Sequence, residues 1–278
     1  MDNLSSEKID APKSVIRHLK SETILPQVIF RDDNILIPYA KAWEEQFALL
    51  NAVIERKKNI RSTQPEIKSD EQRRELIARQ RHYLWFCEHP PVFTLGKSGS
   101  VEHLLYSEAE LAQRNATFFK INRGGDITFH GPGQITGYPI FDMECFFTDV
   151  HKYVRSLEEV AIRTLAEYGL VGMRIKDYTG VWISDEATET PKRRYRKICA
   201  IGVHLSRWVT MHGFAFNVNT DLTYFDYIIP CGIDEADKSV TSLAAELNRQ
   251  VDMQEVKNKM KKHFKLVFSF EFINEEHQ

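Results

Sequence analysis

Apolar residues Tyr39, Trp43, Phe47, Leu50 and Ile54 recur at i, i+4, i+8, i+11 and i+15, which is the stripe of an amphipathic helix. Val150, Val154, Leu157, Ala161, Leu165 and Tyr168 form a second stripe, closed by Gly169. Met253, Val256, Met260 and Phe264 mark a last helix, ahead of a strand-like stretch from Leu266 to Phe272. Shorter apolar runs predict strands between these helices. Gln27 to Phe30 is one, followed by a turn at Asp32-Asp33-Asn34. Tyr83-Leu84-Trp85-Phe86 is another, ended by Pro90-Pro91. Phe118 to Ile121, Ile135 to Phe141 (interrupted by Gly137 and Pro139), Val181-Trp182-Ile183, Ile198 to Leu205 and Met211 to Val218 complete the set. Strands mixed with a few helices, without regular βαβ alternation, imply an α+β fold with a mixed sheet. No linker divides the chain. One domain is therefore expected over residues 26–278, behind a polar extension at 1–25, with an exposed helical insert near 56–75.

Composition narrows the class. The chain has 278 residues, 42% hydrophobic and 27% charged, which excludes a disordered or fibrous protein. Thirty-seven Lys and Arg against 39 Asp and Glu leave no excess of positive charge, so nucleic acid is not an expected partner. No apolar stretch approaches the roughly 20 residues that span a bilayer, so no membrane partner is expected either. The polar start lacks a signal-peptide core. The four cysteines, Cys87, Cys145, Cys199 and Cys231, show no CxxC spacing, and a reduced, cytoplasmic protein is expected.

Three segments could carry chemistry. Five of thirteen glycines lie between Arg123 and Gly137, in a run matching neither GxGxxG nor the P-loop. Turns at Gly124-Gly125 and Gly131-Pro132-Gly133 bracket a short strand with Thr128 and His130, which is either a tight hairpin or a ligand-facing wall. In Lys197-Ile198-Cys199-Ala200-Ile201-Gly202-Val203, strand alternation places Lys197 with Cys199, Ile201 and Val203. An amine held on that apolar face would be desolvated and its pKa lowered; the alternative is a solvated end to the basic run beginning at Lys192. Pro230-Cys231-Gly232 forms a turn that would present a thiol beside backbone N–H donors, although free cysteine is often only a small core residue. His212 shares parity with Phe214 and Phe216, as a core or supporting histidine would. Cys87, Glu88 and His89 are adjacent, and adjacent donors rarely converge on one metal, so no metal site is expected. No GxSxG elbow occurs.

Together these segments resemble the octanoyl-[acyl-carrier-protein]:protein N-octanoyltransferase family of lipoate biosynthesis. The resemblance rests on Glu88 to Gly96, Arg123 to Gln134, Gly137-Tyr138-Pro139, Gly180-Val181-Trp182, Lys197 to Gly202, His212-Gly213, Asn217 and Pro230-Cys231-Gly232. It runs from about Tyr39 to the final helix, with the motifs in the family's order. Phe129, Cys199 and Ile229 stand where Tyr, Ala and Asn are common, and Cys199 would be a second thiol near the site. The resemblance implies a biotin/lipoate protein ligase-like domain and a catalytic Cys231/Lys197 pair, 34 residues apart. It implies a substrate channel formed by Arg123, Gly124, Gly125, His130, Gly131, Ala200, Ile201, Gly202, His212, Gly213 and Ala215.

The implied donor is octanoyl-acyl carrier protein. The implied acceptors are the lipoyl domains of 2-oxoacid dehydrogenase complexes and the glycine cleavage H protein. No resident cofactor is implied, because the phosphopantetheine arm belongs to the carrier. Carrier docking on Lys192 to Lys197 is one expectation; a solvated loop is the other. An ATP-dependent ligase on the same fold would not need the Cys231 thiol, and a silent acyl-binding module would need neither Cys231 nor Lys197. A papain-like hydrolase lacks its local signature.

Overall fold

The computed structural model describes residues 24–63, 69–185, 194–229 and 237–274. In chain order its elements are β1 (Gln27–Leu36), α1 (Tyr39–Thr63), α2 (Asp70–Arg79), β2 (His82–Glu88), β3 (Val92–Leu95), α3 (Glu108–Gln113), β4 (Thr117–Lys120), β5 (Ile127–His130), β6 (Gln134–Ile140), α4 (Val150–Ala166), β7 (Met173–Ile175), β8 (Tyr178–Ser184), β9 (Tyr195–Ser206), β10 (Val209–Asn217), β11 (Lys238–Val240), α5 (Leu243–Leu247), α6 (Met253–Phe268) and β12 (Glu271–Ile273). The main sheet runs β12-β1-β2-β6-β10-β9-β8-β7, with β11 beside β9, and a small sheet runs β4-β3-β5. β1 is parallel to both neighbours, whereas β2, β6, β10, β9 and β8 are successively antiparallel. The sheet is mixed, as the sequence pattern implied.

Alternation sorts the central strands into two faces. Ile135 of β6, Phe214 and Phe216 of β10, Cys199 of β9 and Val181 of β8 join Tyr153, Leu157 and Ala161 of α4 and Phe264 of α6 in the largest apolar cluster. Each large side chain buried there contributes about 1.5–3 kcal/mol, which makes this face the main stabiliser. Leu50, Val53 and Ile54 of α1 pack near the other end of the sheet on Ile140, Val209 and Met211. Gln134, Thr136 and Tyr138, the β6 residues out of phase with Ile135, line a cavity together with His130 of the small sheet.

Five expectations are corrected. Asp32-Asp33-Asn34 is not a turn but part of β1, which absorbs an irregularity between Asp32 and Leu36. Buried partners offset the polarity there: Asp32 pairs with Lys257 at 2.7 Å, and Trp85 Nε1 donates to Asp33 Oδ2 at 2.7 Å. Leu266 to Phe268 is helical, because Phe264 and Phe268 lie one helical turn apart on the core face; the helix stops at Ser269, with φ 55°. The stretch after Arg56 is not wholly exposed: Ile60 packs with Leu76, Ile77 and Cys145, and Lys57 is buried. β6 is not interrupted at Gly137 and Pro139. Its pairing with β10 begins at Gly137↔Phe214, and His212, with φ 61°, bends β10 where Pro139 has no N–H to offer. Val92 to Leu95 forms an unforeseen strand that pairs with both β4 and β5.

Candidate active site

The cavity has a volume of about 310 Å³ and lies between the Gly-rich segment and strands β6, β10 and β9. Close backbone approach creates this wall. A Cβ on Gly202 would lie 2.9 Å from the Gly124 carbonyl, so only glycine lets the Arg123–Gly125 turn lean on β9. Gly124 N–H donates to Val203 O at 2.9 Å across that contact, and Gly125 completes the turn at φ 83°.

Lys197 reaches the cavity by a route that simple alternation misses. Val181 pairs with Cys199 but Trp182 pairs with Lys197, so β9 contains an extra residue, Ile198. A bulge of this kind reverses the side-chain parity across it. Ile198 and Cys199 both face the helix core, whereas Lys197 turns to the cavity side with Nζ 4.5 Å above the Trp182 ring. The expected grouping of Lys197 with Cys199 is therefore corrected, whereas Ile201 and Val203 do line the cavity with Lys197. Cys199 is fully buried and burial pushes its thiol up, as it does for Cys87 and Cys145.

The far wall is polar yet uncharged at its rings. His130 stacks parallel to Tyr39 at 6.0 Å, and His212 Nε2 meets Asn122 Oδ1 at 2.7 Å. His89 places Nδ1 2.6 Å from Ile37 O and Nε2 2.6 Å from the Tyr138 hydroxyl. A backbone carbonyl only accepts, so Nδ1 carries the proton and Nε2 accepts from Tyr138. Burial first, then neighbouring positive groups, pushes His130 and His212 down to about 3; burial pushes His89 to about 4. All three rings are neutral at pH 7. The Arg123 guanidinium, itself buried, donates to Thr94 Oγ1 through Nη2 at 2.9 Å and to Gly124 O through Nη1 at 3.1 Å.

Arg123, Gly124, Gly125, His130, Lys197, Ala200, Ile201, Gly202, His212, Gly213 and Ala215 all line this one cavity. Gly131 does not; it sits behind the wall, accepting from Gln134 N–H and facing the Phe129 ring. Cys231 and its flanking Pro230 and Gly232 lie outside the described residues, as do Lys192 and Arg193 of the basic run. Phe225 and Val240, on either side of the Cys231 segment in sequence, both line the cavity, and Val240 pairs with Lys197.

Tyr39, Thr136, Tyr138 and Asn217 also line the cavity although they were not among the expected channel residues. Asn217, Tyr138 and Thr136 alternate with core residues, which is a usable signal. Tyr39 had none, since it opens the α1 stripe and reaches the cavity only through tertiary packing. Among the described residues no cluster of three or more His, Cys, Asp or Glu could hold a metal ion, and no helix is long and apolar enough to cross a membrane.

Residues 67–265 match the lipoyl protein ligase A/B catalytic domain. The chain is 52% identical over 246 residues to an octanoyltransferase of Cytophaga hutchinsonii, covering 88% of this chain and 95% of that one. It is 52% identical over 234 residues to an octanoyltransferase of Christiangramia forsetii, covering 84% and 92%. Among solved structures, the bi-partite lipoate protein ligase of Thermoplasma acidophilum superposes with a TM-score of 0.59 at 13% identity, covering 91% of this chain and 87% of that one. That likeness is one of fold.

Proposed function

The chain belongs to the lipoyl protein ligase A/B catalytic-domain family, as an acyltransferase of the octanoyltransferase group, and from that premise we propose that it moves octanoyl from acyl carrier protein to a lipoyl-domain lysine through a thioester on Cys231. Lys197 serves as the proton acceptor. A free thiol with pKa about 8.5 is only a few per cent thiolate at neutral pH, so a nearby amine is needed to take its proton. The Cys231 sulfur attacks the octanoyl carbonyl, the bond to the phosphopantetheine sulfur breaks, and the departing thiol recovers the proton from the Lys197 ammonium. The target lysine amine then attacks the acyl-enzyme, Cys231 leaves as its thiol, and an amide forms. The first step exchanges one thioester for another and the second, thioester to amide, is downhill, so this reading requires neither ATP nor a resident cofactor. The neutral rings of His130 and His212 add no charge of their own to the wall beside an uncharged acyl chain.

The bulge at Ile198, which aims Lys197 into the cavity that Phe225 and Val240 also line, carries this reading. Intact-mass and peptide mapping after incubation with octanoyl carrier protein should place one octanoyl adduct on Cys231. Cys231→Ala should form none, and Lys197→Ala should slow adduct formation by about 10²–10⁴-fold, the range for losing a general base. An adduct mapping elsewhere, or transfer that proceeds only with ATP, would overturn the reading.

A further inference from the structure

Side-chain amides and hydroxyls beneath the cavity form a sequence whose donor direction can be fixed without seeing a hydrogen. Gln134 Nε2 faces Phe129 O at 3.1 Å and Asn217 Oδ1 at 2.9 Å. The carbonyl of Phe129 can only accept, so the amide nitrogen of Gln134 is correctly placed and its Oε1 must be the acceptor. Asn217 Nδ2 faces Thr241 O at 2.9 Å, which fixes that amide in the same way. His130 Nδ1, 2.8 Å from Gln134 Oε1, must therefore donate, and its Nε2 keeps a lone pair. Thr94 Oγ1 receives only donors from Arg123, at 2.9 and 3.3 Å, so its proton is available to His130 Nε2 at 3.4 Å. At the other end, Thr241 N–H donates to Lys197 O at 2.9 Å.

Every link from Arg123 to the Thr241 carbonyl donates in one direction, through Thr94, His130, Gln134 and Asn217, all of them buried; held there, Thr241 donates the N–H of its preceding peptide to Lys197 O. Hydrogen bonds aligned head to tail polarise one another, and a guanidinium at the head strengthens the polarisation. The final link holds the peptide joining Lys197 to Ile198, the bulge that decides which face Lys197 presents. We infer that Gln134 and Asn217 are positioning residues for Lys197, holding the bulge so that its amine faces the cavity. Neither side chain has to touch the reacting atoms to do so. The catalytic meaning of the inference rests on Lys197 being the proton acceptor; the positioning does not.

The first test uses the unaltered protein. Nitrogen-15 NMR of His130 should show Nδ1 protonated and Nε2 bare, and the opposite tautomer would break the chain at its centre. The second uses Asn217→Leu, with Gln134→Met as the alternative should the first not fold; both remove the link without adding charge. Asn217→Leu should slow acyl-enzyme formation by about ten-fold or more when Lys197 is present, and by less than about two-fold in the Lys197→Ala background. KM for the carrier should stay unchanged. The Lys197 ¹³Cε resonance, assigned by its loss in Lys197→Arg, should shift its titration midpoint by more than about half a pH unit in Asn217→Leu. Equal slowing in both backgrounds, or an unmoved titration, would overturn the positioning role. Should Lys197→Ala prove as fast as the unaltered enzyme, the proton-acceptor reading falls instead, while the titration, which needs no turnover, still decides the positioning.

Discussion

Strands β6 and β10 carry a buried polar cluster at each end, and the two are built differently. At the cavity end, neutral rings and amides of His130, Gln134 and Asn217 pass hydrogen bonds along beside open space. At the α1 end, full charges are locked together: Lys57 Nζ lies 2.9 Å from Asp142 Oδ1 and 3.2 Å from Glu144 Oε2, and donates to Arg207 O at 2.9 Å. Gln80 Nε2 adds a donor to Asp142 Oδ2 at 3.2 Å, and Asp142 N–H donates to His82 Nδ1 at 3.1 Å. A buried charge must be paired where it stands, so that cluster clamps α1 and α2 to the end of β6. A polar group that needs only hydrogen bonds can line a cavity. The ion cluster holds the fold together; the cavity-end arrangement leaves room for a substrate.

Cutting the ion cluster should have the largest effect. Asp142→Ala leaves Lys57 buried beside a more distant and partly exposed Glu144, and removing one partner of a buried pair costs about 3–5 kcal/mol. Thermal or denaturant unfolding should show that loss, while octanoyl transfer per folded molecule stays within about two-fold. A fall in transfer rate without a fall in stability would mean that the two ends of the strands are not separable.

Acidification should distinguish the ends less strongly but in a predictable direction. Burial holds His82 and His130 down to about 3, like His212, and His89 to about 4. An unfolded histidine titrates near 6.5, so below that pH the unfolded chain binds protons that the folded chain refuses. The stabilisation is complete above about 6.5 and is lost as pH falls toward the folded values, by up to about 1.4 kcal/mol per pH unit for each ring. Asp142 has the opposite sign: burial raises its carboxyl against the pull of Lys57, so its contribution is present at low pH and is lost as pH rises. Denaturant unfolding between pH 6.5 and 5 should steepen accordingly, and His130→Asn should remove one ring's share of the slope. An unchanged slope would mean that His130 is protonated in the fold.

The sequence made local features legible. The α4 stripe and its stop at Gly169 were readable because one period governs the whole element. The turns around His130 were readable because glycine leaves few other uses for such spacing. What escaped was set by partners far away in the chain. The bulge that reverses Lys197 depends on β8, and Asp32 stays in a strand because Lys257 reaches it from α6. Phe268 fits either a helix or a strand until its stacking against Phe264 and Phe147 is seen. Family resemblance located cavity positions such as Ala200 and Ala215, whose small side chains carry no signal of their own.

The smallest predicted effect concerns Cys199, two positions from Lys197 and on the other face of β9. A second thiol so near in sequence would confuse any labelling of the site if strand parity held, since both side chains would then share one wall. The bulge removes that ambiguity: Cys199 packs beneath α4, where burial keeps its thiol protonated, and Lys197 points into the cavity. Cys199→Ala should therefore cost only about 1 kcal/mol, the loss of one buried sulfur, and leave both the octanoyl adduct and its rate of formation unchanged. Maleimide should likewise leave Cys87, Cys145 and Cys199 unmodified in the folded protein, since all three are buried. Loss of the adduct in Cys199→Ala would place that thiol on the cavity face, contradicting the register in which Trp182, and not Val181, lies opposite Lys197.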